Sequence, residues 1–499
     1  MEHSIIGFTR GEVVSSSFEA VNPVTGVKSG DSYAHASSGE LETACALANE
    51  ASPILADTSG LRKAEFLECV ADRIEERVED LVQVMTFESG LPEPRVRAET
   101  GRTCGQLRMF GELVRKGDWV QARIDRAQPE RKPLPKPDLR SMLRPVGPVA
   151  VFCASNFPLA YSVAGGDSAS AWAAGCPVIV KAHHAHPGTA LVVAQAVVAA
   201  VKASNFPEGT FSMLYGDGRK IGRELVMHPF IKAVGFTGSR SGGRALFDLA
   251  SSREAPIPVF AEMSSVNPVF VLPGLTENRL SDFVSGLAGS ATLGNGQFCT
   301  NPGIVFHPDG TFGARLVSEY VGKVKDVAPC PMLHRGIRQA YGDGLDRLCA
   351  IEGVEVAYRA DFPSGTGACD AGPCVATVSL ADFLRSDKIS EEVFGPSTLL
   401  VSYPSVDQLH EVVENLEGQL TTSLFGEVAD LQENANLIAL LKAKAGRMLF
   451  NQFPTGVEVC GSIVHGGPYP ATTDGQSSDR KSTRLNSSHQ IISYAVFCL

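Results

Sequence analysis

The chain has 499 residues, 44% of them hydrophobic and 20% charged, and a net charge of −11. That is ordinary globular material for two or three domains, and its acidic balance argues against nucleic acid or an anionic membrane as a partner. Twelve cysteines occur without a CxxC pair, no basic-then-apolar leader opens the chain, and the longest apolar run, around Leu191 to Val201, is broken by Gln195 and too short to span a bilayer. These features point to a cytoplasmic protein whose thiols are packed rather than bridged or metal-bound.

In chain order, residues 39–116 read as helices. In LRKAEFLECVADRIEERVEDLVQVM apolar residues recur at three- and four-residue steps, and the pattern stops near Ser89-Gly90. Glu130 to Pro148 is rich in proline and basic residues, so it reads as an extended linker or edge ribbon. From Val149 the rhythm becomes strand then helix: VAVFCAS with a helix-like stretch from about Ala160, PVIVKAH with the apolar segment through Val201, and KAVGFTGS with RSGGRALFDLASSR. A fourth strand, IPVFAEM, precedes a second α/β region from about Asn267 to Phe450. Repeated βαβ units imply a parallel, doubly wound sheet that takes ligands at the carboxyl ends of its strands. Two α/β lobes with a cleft between them follow.

Several residues in these elements can carry chemistry. Cys299 lies in NGQFCTNPG, a glycine-flanked polar loop, where a thiol serving only as core filler is out of place. Gly238, Ser239 and Gly243 form a strand-to-helix turn that would bring backbone N–H groups and a positive helix end to a phosphate, or that is simply a tight turn. Lys181 ends an apolar strand, either solvated or placed against a nucleotide's sugar or phosphate. His183, His184 and His186 have no carboxylate or cysteine in their motif, which argues against a metal there. Glu262 ends another apolar strand, as a structural ion-pair member or as a general base with a raised pKa. Asn156, after the strand VAVFC, can donate to a developing oxyanion or cap a turn. A thiol nucleophile, an amide donor, a carboxylate base and a nucleotide turn together make up what is needed to oxidise an aldehyde through a thioester.

The motifs ASNFP, VKAHHAHPG, GFTGSRSGG, FAEMSSVNP, GQFCTNPG and EEVFGPS occur in one order and spacing, and in this the chain resembles the aldehyde dehydrogenase superfamily from about Val21 to Thr473. The stretch from Arg144 to Thr189 is most similar to a branch holding the 2-oxoglutarate-semialdehyde (2,5-dioxopentanoate) dehydrogenases and related NADP-dependent fatty aldehyde dehydrogenases. The resemblance implies an α/β fold with a Rossmann-like NAD(P)-binding domain at 1–126 and 149–261 and a second α/β, catalytic domain at 262–450. Bridging or oligomerisation segments are implied at 127–148 and 451–478. It further implies that Cys299 is the nucleophile, that its backbone N–H and Asn156 stabilise the oxyanion, and that Glu262 activates water. Lys181 would contact the adenosine ribose or its phosphate. Gly238, Ser239 and Gly243 would face the pyrophosphate, and Glu392, with Phe394 beside it, would hold the nicotinamide ribose. No metal is required. Relatives that prefer NAD often carry a glutamate three residues after the lysine; here that position is His184, so NADP is the expected cofactor and NAD a possible second. The expected substrate is a small aldehyde, 2-oxoglutarate semialdehyde ahead of a medium-chain or fatty aldehyde. No arginine stands out in the sequence as the anchor for the carboxylate; the neighbourhood of Tyr161 and the loop Asn451 to Val459 are expected only as pocket walls. The rivals are a Cys–Glu–Lys amidase or nitrilase, a CoA-acylating relative and a catalytically silent relative.

From Asp479 the string DRKSTRLNSSHQIISYAVFCL resembles the translation of a common DNA sequencing adapter, so 479–499 is expected to be non-native and is set aside. The alternative is a natural serine-rich end with a short strand. In the family a final strand adds to a neighbouring subunit's sheet. The ribbon at Glu130 to Pro148 is therefore expected to keep an unpaired edge, and this chain to dimerise poorly where the natural protein would be a homodimer or homotetramer.

Overall fold

The computed structural model describes residues 1–499 apart from 15, 276, 362–368, 457, 475–488 and 496–499. The helical amino-terminal region forms as its periodicity predicts: Ser38–Asp57, Gly60–Glu75, Val78–Ser89 and Glu93–Lys116. The first begins at a capping box in which Ser37 and Glu40 satisfy each other's backbone N–H groups. The third ends at Gly90, whose φ of 68° places it in the left-handed region that closes a helix.

Short apolar runs then build a seven-stranded sheet. Its parallel core runs Val259–Glu262, Ala233–Thr237, Val149–Phe152, Val178–Lys181 and Phe211–Leu214, and the amino-terminal pair Ile5–Ile6 and Thr9–Arg10 adds antiparallel at one edge. Each of the five parallel strands is almost wholly buried, which is why they read as continuous apolar runs rather than alternating ones. Phe211–Leu214 has no sequence expectation behind it, because Ser212 interrupts its apolar run. The chain winds outward from Val149–Phe152 in one direction and then returns to its other side at Ala233–Thr237. The topological switch point therefore lies between these two strands, and the loops that leave them begin with Cys153 and Gly238.

The second sheet runs Glu355–Arg359, Cys374–Ser379, Ser397–Tyr403, Ile304–Pro308, Val269–Val271, Gln419–Phe425 and Ala445–Phe450, parallel except for its first strand. It meets the first sheet through the amino ends of its strands. Gly303 N–H donates to Val266 O and Leu399 N–H to Gly303 O, both at 2.9 Å, so the Cys299 loop and the loop after Glu392 converge there. Carboxyl ends from one lobe thus face amino ends from the other across the cleft.

In the described part of 451–478, Met263 N–H donates to Ala471 O and Thr473 N–H to Ala261 O, which folds this segment back along the strand Val259–Glu262. One expectation needs correction: the ribbon edge is not left unpaired. Leu139–Pro145 pairs with Arg123–Asp125 on one side and antiparallel with His489–Ala495 on the other, with His489 opposite Pro145 and Ala495 opposite Leu139. An open strand edge is a template for any β-capable run within reach, and HQIISYA supplies one. The tail thus takes the ribbon edge within the chain, and the rest of the adapter-like tail lies outside the described residues. No helix among the described residues is long and apolar enough to cross a membrane.

Candidate active site

The Cys299 loop is built by local backbone constraints. Gly294, Asn295 and Gly296 all have positive φ, 55°, 56° and 66°, just before Gln297. A Cβ on Gly296 would lie 2.3 Å from the Gly395 carbonyl, so only glycine lets the two loops approach this closely. Asn295 Nδ2 ties the turn to the carbonyls of Cys330 (2.7 Å) and Ala371 (3.2 Å). Cys299 itself is half-buried, unlike the core thiols Cys45, Cys104 and Cys176.

Asn267 is the hub beneath it. This fully buried residue has φ 47°, and its side-chain amide donates to the carbonyls of Cys299 and Asn301, each at 2.9 Å, and Ser265 at 3.2 Å. Its oxygen accepts from the Ser265 and Thr421 hydroxyls. Asn267→Ala leaves these groups without partners and puts alanine in a left-handed conformation, so a stability loss of about 3 kcal/mol is expected. Urea unfolding measures the loss, and alkylation of Cys299 by iodoacetamide reports whether the loop has lost its shape.

Three side chains converge on the thiol region. His465 Nε2 lies 3.3 Å from Cys299 Sγ and 2.8 Å from Glu262 Oε1. The His465 side chain is fully buried and that of Glu262 is 2% exposed. One ring nitrogen serving both partners means that a proton held there can pass between thiol and carboxylate. A Cys, a His and a Glu with one donor atom each, all within 4.8 Å of one another, also form a set that could take a metal ion. His465 was not legible beforehand. It sits 166 residues after Cys299 in the loop IVHGG, and only tertiary folding joins them. The path is tight: a Cβ on Gly446 would fall 1.7 Å from Gly466 O, and one on Gly467 2.0 Å from Gln419 O. Asn156 comes from the switch-point loop, and its Nδ2 donates to Gln297 O at 3.3 Å, which aims the amide at the Cys299 loop.

Cys299 lines two cavities. The larger, about 590 Å³, opens at the switch point and is walled by Asn156, Gly238, Ser239, Glu262, Glu392 and Phe394 among others. It suits a dinucleotide. Ser239 caps the helix Arg240–Ser251 by accepting from Gly242 N–H, the helix end opens on the cleft, and a Cβ on Gly238 would collide with the Phe236 ring at 2.7 Å. Glu392 has its pKa raised to about 7, chiefly by burial, while Ser264 and the Ser265 backbone bond to it and Glu262 repels it. Gly243 is not itself on the cavity wall, but a Cβ there would collide at 2.6 Å with Met263, which is. Lys181 is 8% exposed rather than solvated, with a pKa lowered by burial, and it is not on the cavity wall. His184 is exposed and stacks on His183 (ring centroids 4.4 Å apart), and His334 from the second lobe meets both rings.

The smaller cavity, about 220 Å³, is lined by Arg95, Glu99, Arg102, Phe157, Phe298 and Cys299, with Gly456 at its edge. Among the described residues of the loop 451–459, Gly456 lies on this wall. Tyr161 stands behind, and its hydroxyl is 3.5 Å from Arg102 Nη2.

A Rossmann-like sheet faces a second α/β lobe, and Cys299 lies between a nucleotide-sized cleft and a small pocket, an arrangement that suits an oxidoreductase. The chain belongs to the aldehyde dehydrogenase family, whose profile matches residues 8–469. It is 46% identical to alpha-ketoglutaric semialdehyde dehydrogenase 2 of Azospirillum brasilense over 442 residues, 88% of this chain and 83% of that protein. It is 42% identical to an alpha-ketoglutaric semialdehyde dehydrogenase of Acinetobacter baylyi over 475 residues, 94% of this chain and 90% of that one. In fold it matches betaine aldehyde dehydrogenase from Staphylococcus aureus, with a TM-score of 0.84 at 18% identity, covering 99% of this chain and 95% of that one. A lactaldehyde dehydrogenase matches with the same TM-score at 19% identity, covering 99% and 98%. Family membership excludes the amidase reading, and the third group beside Cys299 and Glu262 is His465, not a lysine.

Proposed function

We propose that this chain oxidises 2-oxoglutarate semialdehyde to 2-oxoglutarate with NADP, and with NAD as a second cofactor. The observation that carries the reading is the position of Cys299 on the walls of both cavities, with His465 and Glu262 behind it. The two relatives above 40% identity support the substrate.

In this mechanism His465 Nε2 takes the thiol proton and Glu262 stabilises the resulting imidazolium. The thiolate attacks the aldehyde carbon from the small cavity, and its C–S bond replaces the carbonyl π bond. Asn156 Nδ2 exchanges its Gln297 acceptor for the new oxyanion, and the Cys299 N–H is the second donor; one such donor is typically worth about 3–4 kcal/mol. A nicotinamide in the large cleft supplies the hydride acceptor. Glu262 then draws a proton from water, which attacks the thioester carbonyl and returns Cys299 as leaving group. Glu392 and the Gly238–Ser239 turn hold the cofactor from opposite lobes. Glu262 beside the thiol favours water over CoA as the acyl acceptor.

The test is NADPH formation with 2,5-dioxopentanoate beside a medium-chain aldehyde; a preference for the medium-chain aldehyde would overturn the substrate assignment. The cofactor preference has its own test. A glutamate near Lys181 would repel a 2′-phosphate and accept from ribose hydroxyls, so His184→Glu is expected to move the ratio of kcat/KM values toward NAD. An unchanged ratio counts against the role given to position 184.

A further inference from the structure

We propose that Arg102, supported by Arg95, holds the substrate's distal carboxylate and so makes this site selective for aldehydes that carry one. The proposal rests on the aldehyde-oxidising reading above and deepens it by naming the group that reads the far end of the substrate.

Arg95, Ala98, Glu99 and Arg102 fall at i, i+3, i+4 and i+7 of the helix Glu93–Lys116, so one helix face forms a wall of the cavity that contains Cys299. The three charged groups on that face are not equivalent. Both oxygens of Glu99 are occupied: Oε1 accepts from the N–H groups of Leu159 (2.9 Å) and Ala160 (3.1 Å), and Oε2 from Arg95 Nη2 (3.2 Å). The negative charge in the pocket is therefore committed to the switch-point loop and to Arg95. Arg102 has no such partner. Its Nη1 is buried without a hydrogen-bond acceptor, its Nη2 makes only the long 3.5 Å contact to Tyr161, and no carboxylate among the described residues lies within 4.0 Å of it. A charged donor left in this state is costly unless a ligand satisfies it.

Its surroundings also suit the task. The Arg102 guanidinium lies over the rings of Phe157 (5.6 Å) and Tyr161 (5.5 Å), and that of Arg95 over Phe157 (4.5 Å) and Phe298 (5.1 Å). Those rings pack edge-to-face on one another, Phe157 against Tyr161 at 5.0 Å and against Phe298 at 5.3 Å. Both planar forks are thus held before substrate arrives, which favours two-pronged capture of a carboxylate over the point charge of a lysine. A molecule bonded to Cys299 Sγ through its aldehyde carbon has the rest of its chain in this cavity. A volume of about 220 Å³ bearing two guanidinium groups matches a short oxo-acid far better than a long alkyl chain.

The experiment compares kcat and KM for 2,5-dioxopentanoate, 5-oxopentanoate and pentanal in the full chain and in its Arg102→Gln and Arg102→Lys variants. The unaltered chain should favour both acids over pentanal. In Arg102→Gln the acid-to-pentanal ratio of kcat/KM should fall roughly 100-fold, with the loss in KM, and Arg102→Lys should recover part of it. Glutarate, which has the carboxylates but no aldehyde, should inhibit pentanal oxidation at least about tenfold less well in Arg102→Gln. The proposal is overturned if the unaltered chain is indifferent to the carboxylate. It is equally overturned if the ratio and the glutarate inhibition survive Arg102→Gln, which would leave Arg102 as a clamp between the helix and the Phe157–Tyr161 loop. Should Arg102→Gln not fold, the same two readouts in Arg102→Lys decide. A preference for 5-oxopentanoate that is lost in the variants would sustain the anchor while overturning 2-oxoglutarate semialdehyde as the substrate.

Discussion

Cys299→Ala is expected to lower NAD(P)H formation by a factor on the order of 10⁵ while leaving the fold and cofactor binding intact. The loop does not depend on the sulfur for its shape. Asn267 holds the Cys299 carbonyl at 2.9 Å, Thr455 Oγ1 donates to Thr300 O at 3.3 Å, and the positive-φ turn at 294–296 sets the approach. Removing Sγ therefore removes the nucleophile without removing its support. Circular dichroism and quenching of protein fluorescence by NADP establish that the variant is folded and binds cofactor, and the turnover assay then isolates the thiol. Retained turnover in a folded Cys299→Ala would sink the thioester mechanism.

The second large effect falls on Glu262. Glu262→Gln keeps the shape of a side chain that is 2% exposed but takes away its charge and its basicity, so thioester hydrolysis should slow about 10²–10⁴-fold. The expected signature is a burst of one NAD(P)H per site followed by a slow steady state, because acylation precedes the step that needs the base. His465 complicates this prediction in an informative way. Its Nε2 contacts both Glu262 and Cys299, so Glu262→Gln combined with His465→Ala should cost much less than the sum of the two single losses. A rate loss without a burst would move Glu262 from water activation to thiol activation. Strict additivity would break the proposed relay.

How much of this was legible can be judged residue by residue. Helices at 38–116, the strand–helix repeats from Val149 and the second lobe from about 267 to 450 follow from apolar periodicity and run length, which are local properties of the chain. Cys299 stood out because a thiol in a polar glycine-rich loop contradicts its usual packing role, and Glu262, Asn156 and Gly238 because each follows an apolar strand where α/β sheets present ligands. The strand Phe211–Leu214 was missed because Ser212 breaks its apolar run. Gly243 followed the motif, and its missing Cβ makes room for Met263 on the cleft wall. Pairing of the ribbon edge by 489–495 was missed because the tail had been set aside, whereas edge pairing responds only to strand-forming residues within reach.

The chain by itself determined the two-lobe α/β architecture and marked Cys299 and the Gly238–Ser239 turn as candidates, because these rest on spacing within a few tens of residues. Tertiary structure alone decided the rest. It brought His465 to within 3.3 Å of Cys299 from 166 residues away, and it made Asn267 the support of the Cys299 loop. It also singled out Arg102 from the other arginines of its helix. Arg97, Arg108 and Arg115 are each paired with surface carboxylates, while Arg102 lines the pocket and keeps a buried donor without an acceptor. Nothing in the spacing of a helix distinguishes these residues. Burial and the position of every neighbouring carboxylate do, and those are properties of the folded molecule.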